Sequence, residues 1–392
     1  MTEMTGRLLF FSPSFCSLTE TFLYHQLDGL QNWHRTLVTY RRENQDVYPE
    51  NGWTEHIISP YGSLKHRALG RLRRLLNGNA YLWDWSTESA FFSLVSETAP
   101  NVILAEYGLA GLACCEAAKR AGVPLVVYFL GYDLSRLFRI PKYRKSLKNL
   151  IPLASALVVT NSIQKKRLLS LNCPEYKIHV IPCGAKIDIP VPVGEIERES
   201  DIRFLHVGRL VEKKGILVTI EAFAQALKPD LPIKLTIVGD GPLRPHCESL
   251  VDKLGIRTAV EFLGTITHSE LLQILPRSDI FLLHSLTAPD GDEEGMPVAL
   301  SEAMAVGLPI ASTIHPGIAD HVIDEVEGLL VPEGDVPSFA LAIDRLARDS
   351  KLREKLGAAA RQKGSQILDL ETWLNKLDRV LRQCHQNPQT SE

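Results

Sequence analysis

Residues 280–312 read IFLLHSLTAPDGDEEGMPVALSEAMAVGLPIAS, and this stretch decides the fold class. A short apolar run over 280–283 leads into an acidic, glycine-containing loop over 290–295. Residues 296–305 have a helical pattern, which Gly307-Leu308-Pro309 stops, and a second apolar run follows at 310–312. Strand, loop, helix and strand in this order predict one unit of a parallel α/β sheet.

The start of this helix is a candidate ligand site. Pro297 is predicted at the first helical position, where its missing N–H removes no hydrogen bond, and Gly295 lets a ligand approach the backbone closely. The free N–H groups of a helix start favour phosphate, while Glu294 and Glu302 can accept hydrogen bonds from sugar hydroxyls. A nucleotide sugar combines both chemistries. The alternative is that both glutamates are ordinary solvated residues.

Apolar runs of strand length recur along the chain in two series, separated by residues 187–200, a predicted linker that contains proline, glycine and a charged run. Two series of strands that alternate with helical patterns predict two doubly wound α/β domains, each a parallel sheet with helices on both faces. The predicted strands are 7–11, 36–40, 102–105, 125–129, 156–160 and 179–181 before the linker, and 203–207, 234–238, 260–263, 280–283, 309–312 and 328–331 after it.

The predicted domains are residues 1–190 and residues 201–365, followed by a C-terminal segment, 366–392. That segment contains an amphipathic stretch, which we expect to pack as a helix toward the first domain. In the first domain, Ser12-Pro13-Ser14 is interpreted as the turn that ends the first strand, and Thr19 as the N-cap of the next helix.

Composition argues against several classes of protein. Apolar residues make up 45% and charged residues 23% of the 392 residues, as in soluble globular proteins, and the net charge of −3 argues against nucleic-acid binding. The seven cysteines are scattered without a Cys-x-x-Cys pair, which disfavours a disulfide framework and a structural zinc site. Because the sequence has neither a signal-peptide pattern nor an apolar run of the ~20 residues that span a bilayer, we expect a cytoplasmic protein.

Residues 64–76 predict a basic amphipathic helix. A second basic cluster lies at 136–148 in the same domain. Two interpretations stay open. The helix contacts an anionic membrane surface, or it is an ordinary surface helix with extended lysine and arginine side chains. The apolar face of the predicted helix consists of Leu64, Ala68, Leu69, Leu72, Leu75 and Leu76.

Two further loops follow the first two predicted strands of the second domain. One contains Gly208-Arg209 and Lys214-Gly215, which place a flexible backbone, a planar guanidinium and a mobile ammonium where a diphosphate could bind. The other contains Gly239-Asp240-Gly241, the first two glycines of a Gly-x-Gly-x-x-Gly dinucleotide fingerprint, but Arg244 stands at the position of the third glycine. The incomplete fingerprint disfavours an NAD-dependent oxidoreductase.

Asp290-Gly291-Asp292 is a pattern of carboxylates that can hold Mg²⁺ against a diphosphate. We prefer the alternative of an acidic loop, because Arg209 and Lys214 already supply positive charge. No histidine spacing typical of a transition-metal site occurs. We therefore expect neither a metal nor a cofactor.

These segments together resemble the retaining glycosyltransferases of family 4, which have two Rossmann-like domains facing across a cleft, the GT-B fold. The family's Glu-x7-Glu element matches Glu294 to Glu302, and its Gly-Arg…Lys-Gly element matches 208–215. Residues 290–295, 315–318 and 19–22 resemble the branch that builds bacterial exopolysaccharides such as colanic acid and amylovoran.

The resemblance implies a UDP- or GDP-linked sugar in the cleft, with Glu294 on the sugar hydroxyls and Glu302 on the ribose hydroxyls. It also implies metal-independent transfer, with retention, to a glycan or lipid-linked acceptor. The expected catalytic residues are Glu294, Asp133, Arg209 and Lys214, with Arg209 and Lys214 on the diphosphate. The expected substrate-binding residues are Gly208, Arg209, Lys214, Gly239, Glu294, Gly295, Met296, Pro297, Val298 and Glu302.

One departure concerns residues 128–133, where Leu130 occupies the position of a histidine that this branch usually has near the acceptor. Either Asp133 and Tyr128 supply the polar contacts instead, or turnover is impaired. The alternative function is therefore a non-catalytic nucleotide-sugar-binding protein or partner subunit. The resemblance further implies work in cell-surface polysaccharide synthesis, in the cytoplasm or attached to the cytoplasmic face of the inner membrane.

Overall fold

The computed structural model describes residues 6–17, 20–59, 64–83, 85–185 and 201–387. The chain divides into two compact units, the first made of residues 1–182 with 373–392 and the second of residues 183–372. The predicted domain bounds, 1–190 and 201–365, differ from these by up to 18 residues. The predicted linker at 187–200 and the predicted N-cap Thr19 lie outside the described residues.

The first unit contains a parallel sheet whose described strands run in the order β3-β2-β1-β4-β5-β6-β7. Its central strands β4 and β5 are buried at every position, because helices cover both faces of the sheet. The strands are β1 (Gly6–Phe15), β2 (Trp33–Arg42), β3 (Trp53–Ile57), β4 (Val102–Glu106), β5 (Leu125–Phe129), β6 (Ala156–Val159) and β7 (Ile178–Val180). The helices are α1 (Thr21–Gly29), α2 (Leu64–Leu76), α3 (Trp85–Thr98), α4 (Gly108–Ala121), α5 (Pro141–Leu153) and α6 (Ser162–Leu169).

The second unit repeats this architecture with a parallel sheet in the order β10-β9-β8-β11-β12-β13. Its buried residues form hydrophobic clusters that include the central strands and the helices that pack on them. The strands are β8 (Ile202–Val207), β9 (Ile233–Val238), β10 (Val260–Gly264), β11 (Ile280–Leu283), β12 (Ile310–Thr313) and β13 (Gly328–Val331). The helices are α7 (Ile216–Ala226), α8 (Arg244–Lys253), α9 (His268–Ile274), α10 (Val298–Val306), α11 (Pro316–Ala319), α12 (Val336–Arg348) and α13 (Ser350–Ile367).

The two sheets confirm the predicted pair of doubly wound α/β domains, with two corrections in the first unit. Ser12-Pro13-Ser14 is not a turn, because β1 continues to Phe15. Among the residues that the structure describes, β1 beyond Phe11 pairs only with β2, so a proline is tolerated on the side of the strand without a ladder partner. The edge strand β3 was not predicted.

A C-terminal helix, α14 (Leu370–Gln386), packs on the first unit from Trp373 onward. Its Trp373 is fully buried, and the indole N–H donates a hydrogen bond to the Tyr128 hydroxyl over 3.1 Å. Asp378 accepts a hydrogen bond from the indole of Trp33 over 2.6 Å. Within the described ranges, no helix has the length and apolar character needed to cross a membrane.

Candidate active site

In the second unit, the loop after β8 carries two of the predicted site cations. The Gly208 amide donates to the Val238 carbonyl over 3.0 Å, which fastens this loop to the end of neighbouring β9. Arg209 follows on the surface with its side chain exposed to solvent. Lys214 ends a short 3-10 turn immediately before α7, and its side chain is only 12% exposed. The loop thus offers one solvated guanidinium and one nearly buried ammonium at the carboxyl end of the sheet, where open α/β sheets bind ligands.

Gly239, at the end of β9, has a backbone conformation and surroundings that leave no room for a side chain. Its φ is 126°, and a Cβ there would lie 2.0 Å from the Gly208 carbonyl oxygen. Only glycine lets the two loops approach this closely. The structure therefore explains Gly239 by loop packing, and its predicted contact with a substrate stays a prediction.

The acidic loop after β11 meets the lysines of the β8 loop in two consecutive ion pairs. Lys213 pairs with Asp292 at 3.1 Å, and Lys214 pairs with Glu294 at 3.1 Å. Asp292 is thus engaged by a protein cation, and the described residues contain no group of three or more histidine, cysteine, aspartate or glutamate side chains placed to hold a metal ion. Metal independence stays a prediction.

The Glu294 carboxyl is buried and yet ionised. Burial alone would raise its pKa, but the ammonium groups of Lys214 and Lys213 outweigh burial and hold the pKa at about 2. Burial lowers the pKa of the Lys214 ammonium, and Glu294 opposes that shift. A carboxylate that stays charged away from water is a strong acceptor for hydroxyl groups.

A histidine that the sequence reasoning did not assign to the site holds the backbone of Glu294. The Glu294 amide donates to Nε2 of fully buried His315 over 3.0 Å, so the ring proton is on Nδ1, which donates to a carboxylate oxygen of Glu333. A Cβ on Gly317 would lie 2.6 Å from the Glu294 carbonyl oxygen, so α11 packs directly beneath the loop. The only sequence signal for this support was the resemblance of residues 315–318 to one branch of a family.

The helix after the acidic loop begins one residue later than predicted. α10 starts at Val298, and Pro297 is its N-cap, with an extended backbone whose carbonyl accepts from the Leu300 amide. Met296 belongs to the hydrophobic core of the unit. A ligand contact from 295–297 would therefore come from backbone groups at the helix start.

Glu302 lies within α10 and is 5% exposed. Its Oε1 is 2.8 Å from Nε2 of His268, the first residue of α9. α9 begins with a capping box formed by Thr267 and Glu270, which fixes the position of His268. No pattern in the sequence indicated that His268 would contact Glu302, because the pair is formed only by packing of the two helices.

In the first unit, Asp133 lies in the short turn after β5 and is fully buried. One carboxylate oxygen accepts from the Gly108 amide over 2.8 Å, and the other accepts from the Gly131 and Leu134 amides over 3.1 Å each. Burial raises the pKa of Asp133 to about 6, although the backbone amides oppose that rise. This geometry favours a role in positioning the loop over the predicted direct contact with a substrate.

Tyr128, the other predicted substitute for a histidine at Leu130, is also occupied. It is fully buried, and its hydroxyl donates to the Ile181 carbonyl over 2.6 Å while accepting from Trp373. Neither Tyr128 nor Asp133 is therefore presented to solvent beside Leu130, and the hydroxyl of Tyr128 serves to hold α14.

A second buried acidic group in this unit was not predicted from the sequence. Glu106, at the end of β4, is fully buried and accepts a hydrogen bond from the Gln26 side chain over 2.7 Å. Burial raises its pKa well above the ordinary value. The hydroxyl of adjacent Tyr107 donates to Glu20 over 2.7 Å. Polar side chains therefore gather at the carboxyl ends of the first sheet as well.

Two protein-family models match the chain in succession. A model described as "Glycosyl transferase 4-like domain" matches residues 20–184, and a model described as "Glycosyl transferases group 1" matches residues 193–363. The boundary between the two matches falls close to the boundary between the two compact units.

Among curated proteins, WcaL of Escherichia coli, named for colanic acid biosynthesis, is 29% identical over 88% of this chain and 90% of its own length. WcaL of Salmonella typhimurium is 31% identical over 72% of this chain and 70% of its own length. The amylovoran biosynthesis glycosyltransferase AmsK of Erwinia amylovora is 34% identical over 64% of this chain and 62% of its own length.

Solved structures share the fold. Anabaena HepE in complex with UDP and glucose superposes with a TM-score of 0.79 at 19% identity, over 96% of this chain and 100% of that one. WaaG, a glycosyltransferase involved in lipopolysaccharide biosynthesis, superposes with a TM-score of 0.68 at 17% identity, over 95% and 99%. At these identities the likeness concerns the fold alone.

Proposed function

The chain belongs to the group 1 glycosyltransferases of family 4, in their exopolysaccharide-type branch, and we propose that it transfers a sugar, with retention, from a nucleoside diphosphate to a glycan or lipid-linked acceptor. It has the GT-B fold of that family. The observation that carries the assignment of the donor site is the pairing of Lys214 with Glu294 at the carboxyl ends of β8 and β11.

In this proposal Arg209 and Lys214 bind the diphosphate. Arg209 is exposed and supplies a planar fork for phosphate oxygens, while Lys214 lies beside Glu294 and supplies a charge deeper in the site. The backbone N–H groups at the start of α10 add further donors. Together they stabilise the negative charge that develops on the departing diphosphate, which is the largest contribution a protein can make to such a transfer.

The two glutamates have different roles in this proposal. Glu294 is held through its backbone by His315 and kept ionised by the lysines, so it presents a fixed negative charge to the hydroxyls of the transferred sugar. Glu302 is held by His268 within α10 and accepts hydrogen bonds from the ribose hydroxyls. Both side chains are nearly buried, which limits competition from water.

The proposed chemistry uses no nucleophile from the protein. The acceptor hydroxyl attacks the anomeric carbon on the face that the diphosphate leaves, the bond from that carbon to the phosphate oxygen breaks, and the leaving phosphate takes the acceptor proton. The chain contributes orientation of the two substrates and stabilisation of the leaving group.

Leu130 favours a second candidate, a nucleotide-sugar-binding protein or partner subunit without turnover. Leucine neither donates nor accepts a hydrogen bond, and the side chains of Asp133 and Tyr128 are occupied by backbone groups and by Trp373. The curated relatives are named as glycosyltransferases, which favours the enzyme. Donor hydrolysis alongside donor binding separates the two, because a binding protein would bind without releasing the nucleoside diphosphate.

A panel of UDP- and GDP-linked sugars, screened by thermal stabilisation of the protein, tests the proposed donor and its base. A ligand that binds only the native state raises the midpoint of unfolding. UDP-glucose is a sensible first member, because a structural neighbour was solved with UDP and glucose.

Transfer from the donor so identified should then continue in excess EDTA. Loss of transfer with EDTA and its return with Mg²⁺ would contradict metal independence and make Asp290 and Asp292 ligand candidates.

A lipid-linked acceptor would place the enzyme at a membrane, and peripheral attachment at the cytoplasmic face of the inner membrane is part of the same proposal. The exposed leucines of α2 provide a surface for such contact.

A further inference from the structure

The loop after β13 is joined to the acidic loop after β11, although β12 lies between the two strands in the sheet. The Gly334 amide donates to Nε2 of His284, the first residue after β11, over 2.8 Å. Glu333 makes two further contacts. Its Oε2 accepts from the Thr287 amide over 2.7 Å, and its Oε1 accepts from Nδ1 of His315. Glu333 therefore contacts both the start of the acidic loop and the histidine that supports the end of that loop.

The carboxylate of Glu333 matches these two N–H groups. A carboxylate accepts at both of its oxygens and donates at neither, whereas an amide in its place would turn an NH2 group toward one of the two donors. The Glu333 side chain is only 29% exposed. Burial raises its pKa, but the hydrogen bonds from His315 and Thr287 outweigh burial and leave the pKa below its ordinary value. Glu333 is thus a charged acceptor at neutral pH.

The hydrogen bond to Glu333 also determines which nitrogen of His315 carries the proton. Because Nδ1–H donates to Glu333, Nε2 is unprotonated and accepts from the Glu294 amide over 3.0 Å. In the opposite tautomer, an Nε2–H group would face the N–H of Glu294, and this contact would be lost. The position of Glu294 therefore depends on a carboxylate that lies one residue further away, on the other side of the histidine ring.

We propose that Glu333 is a positioning residue of the donor site, which sets the place of Glu294 through the tautomer of His315. Through Thr287 it also fixes the start of the acidic loop. The inference rests on the proposed function, because it takes Glu294 to bind the hydroxyls of the transferred sugar. Glu333 then serves the sugar, whereas the cations after β8 serve the diphosphate.

Kinetics of Glu333→Gln, with the donor that the thermal screen identifies, tests this proposal. A misplacement of ~1 Å can cost about 100-fold in rate, so kcat should fall by up to about that factor. The Kd of the nucleoside diphosphate should not change, because that ligand lacks the sugar. If the chain binds the nucleotide sugar without turnover, Glu333→Gln should remove the extra affinity that the sugar adds. Wild-type kcat, or an equal rise in Kd for both ligands, would overturn the proposal.

The tautomer of His315 can be measured without any ligand. In protein labelled with a nitrogen isotope at histidine, long-range proton–nitrogen correlation spectra distinguish a proton on Nδ1 from a proton on Nε2. His315→Gln identifies the signals of His315 by their loss. The wild type should show the proton on Nδ1, and Glu333→Gln should shift it wholly or partly to Nε2. An unchanged tautomer in Glu333→Gln would contradict the proposed role.

A double variant tests whether Glu333 acts through His315. In His315→Gln an amide oxygen replaces Nε2, and this oxygen accepts from the Glu294 amide whichever group lies on the far side. Glu333→Gln should therefore lower kcat by a smaller factor in the His315→Gln background than in the wild type. Equal factors in the two backgrounds would show that the residues act independently, which the proposal excludes.

Asp335→Ala is the matched control in the same loop. Asp335 is the N-cap of α12, where its carboxylate accepts from the Ser338 amide over 3.0 Å. Loss of this cap should lower the midpoint of unfolding and leave kcat unchanged. An equal fall of kcat in Asp335→Ala and Glu333→Gln would show that Glu333 serves only the stability of the loop.

The failure of this inference is distinguishable from the failure of the proposed function. If Glu294→Gln retains wild-type kcat, the role of Glu294 on the sugar is wrong. If Glu294→Gln loses activity and Glu333→Gln does not, the donor site stands and only the positioning role of Glu333 is wrong.

Discussion

Asp133 and Glu294 are buried carboxylates in loops after strands of the two sheets, and their surroundings are opposite. Three backbone amides fill both oxygens of Asp133, and burial raises its pKa to about 6. A lysine faces Glu294, and the positive charges around it hold its pKa at about 2 in spite of burial. The hydrogen bonds of Asp133 stabilise the loop that contains it, whereas Glu294 keeps a negative charge that can bind a substrate.

The difference shows that burial of an acidic residue at a strand end does not by itself identify a catalytic group. What distinguishes Glu294 is that its partner is a side-chain cation, with Lys214 at ion-pair distance. A lysine side chain can move toward a phosphate, whereas backbone amides cannot leave a loop without unfolding it. The same comparison makes the loops of the second unit the better-supported candidate site.

The largest effect is expected from Glu294→Gln, which keeps the shape of the side chain and removes its charge. If Glu294 stabilises charge at the transferred sugar, kcat should fall about 100- to 1000-fold and donor KM should change less. Steady-state kinetics on folded protein measures this. Asp292→Asn is the control, because Asp292 lies in the same loop but pairs with Lys213. Unchanged kinetics in Glu294→Gln would remove Glu294 from the site.

The pKa contrast gives a second prediction, in stability. A carboxyl whose folded pKa is raised stabilises the protein below its unfolded pKa, and this contribution is lost as pH rises; for Asp133 the window runs from 3.8 to about 6. Glu294, with a lowered pKa, contributes above 4.5 and loses its contribution only as pH falls toward about 2. Each shift corresponds to about 3 kcal/mol.

Urea unfolding between pH 4.5 and 7 separates the two carboxyls. The difference in unfolding free energy between wild type and Asp133→Asn should fall by about 2 kcal/mol over this range, since the wild type loses stability as Asp133 ionises. The difference between wild type and Glu294→Gln should stay flat. A flat curve for Asp133→Asn would show that its amide donors outweigh its burial.

A smaller effect is expected from Glu302→Ala. A contact with ribose is similar in the ground state and the transition state, so its loss should raise donor KM with little change in kcat. A hydrogen bond to a charged group contributes roughly 1.5–3 kcal/mol, which corresponds to about a 10- to 150-fold rise in KM. Equal losses of kcat in Glu302→Ala and Glu294→Gln would contradict the assignment of Glu302 to the ribose and of Glu294 to the transferred sugar.

Much of the fold could be predicted because buried parallel strands leave continuous apolar runs. The predicted bounds of Leu125–Phe129, Ile280–Leu283 and Gly328–Val331 agree with the structure at both ends. β3 was missed because its sequence, WTEHI, mixes polar and apolar residues without a continuous apolar run. This fits its place at the edge of the sheet, where it has one neighbour among the described strands.

The site was predictable where its residues follow strands and unpredictable where packing brings residues together. Lys214 and Glu294 could be placed in loops after two predicted strands of one domain from the sequence, but the support of Glu294 by His315 and of Glu302 by His268 joins residues distant along the chain. The orientation of α2 was equally hidden, because periodicity identifies a helix with two faces and only the buried pair of Arg73 with Glu88 decides which face turns inward.

Calorimetric titration of the nucleoside diphosphate, UDP or GDP as the thermal screen identifies, tests most directly whether the cations after β8 bind the donor. Arg209→Ala removes an exposed guanidinium that pairs with no residue in the described ranges, so the fold should be unaffected while Kd rises about 10- to 150-fold. Arg257→Ala, an exposed arginine on the same unit, is the control and should leave Kd unchanged. Wild-type affinity in Arg209→Ala, or an equal loss in both variants, would contradict the donor site.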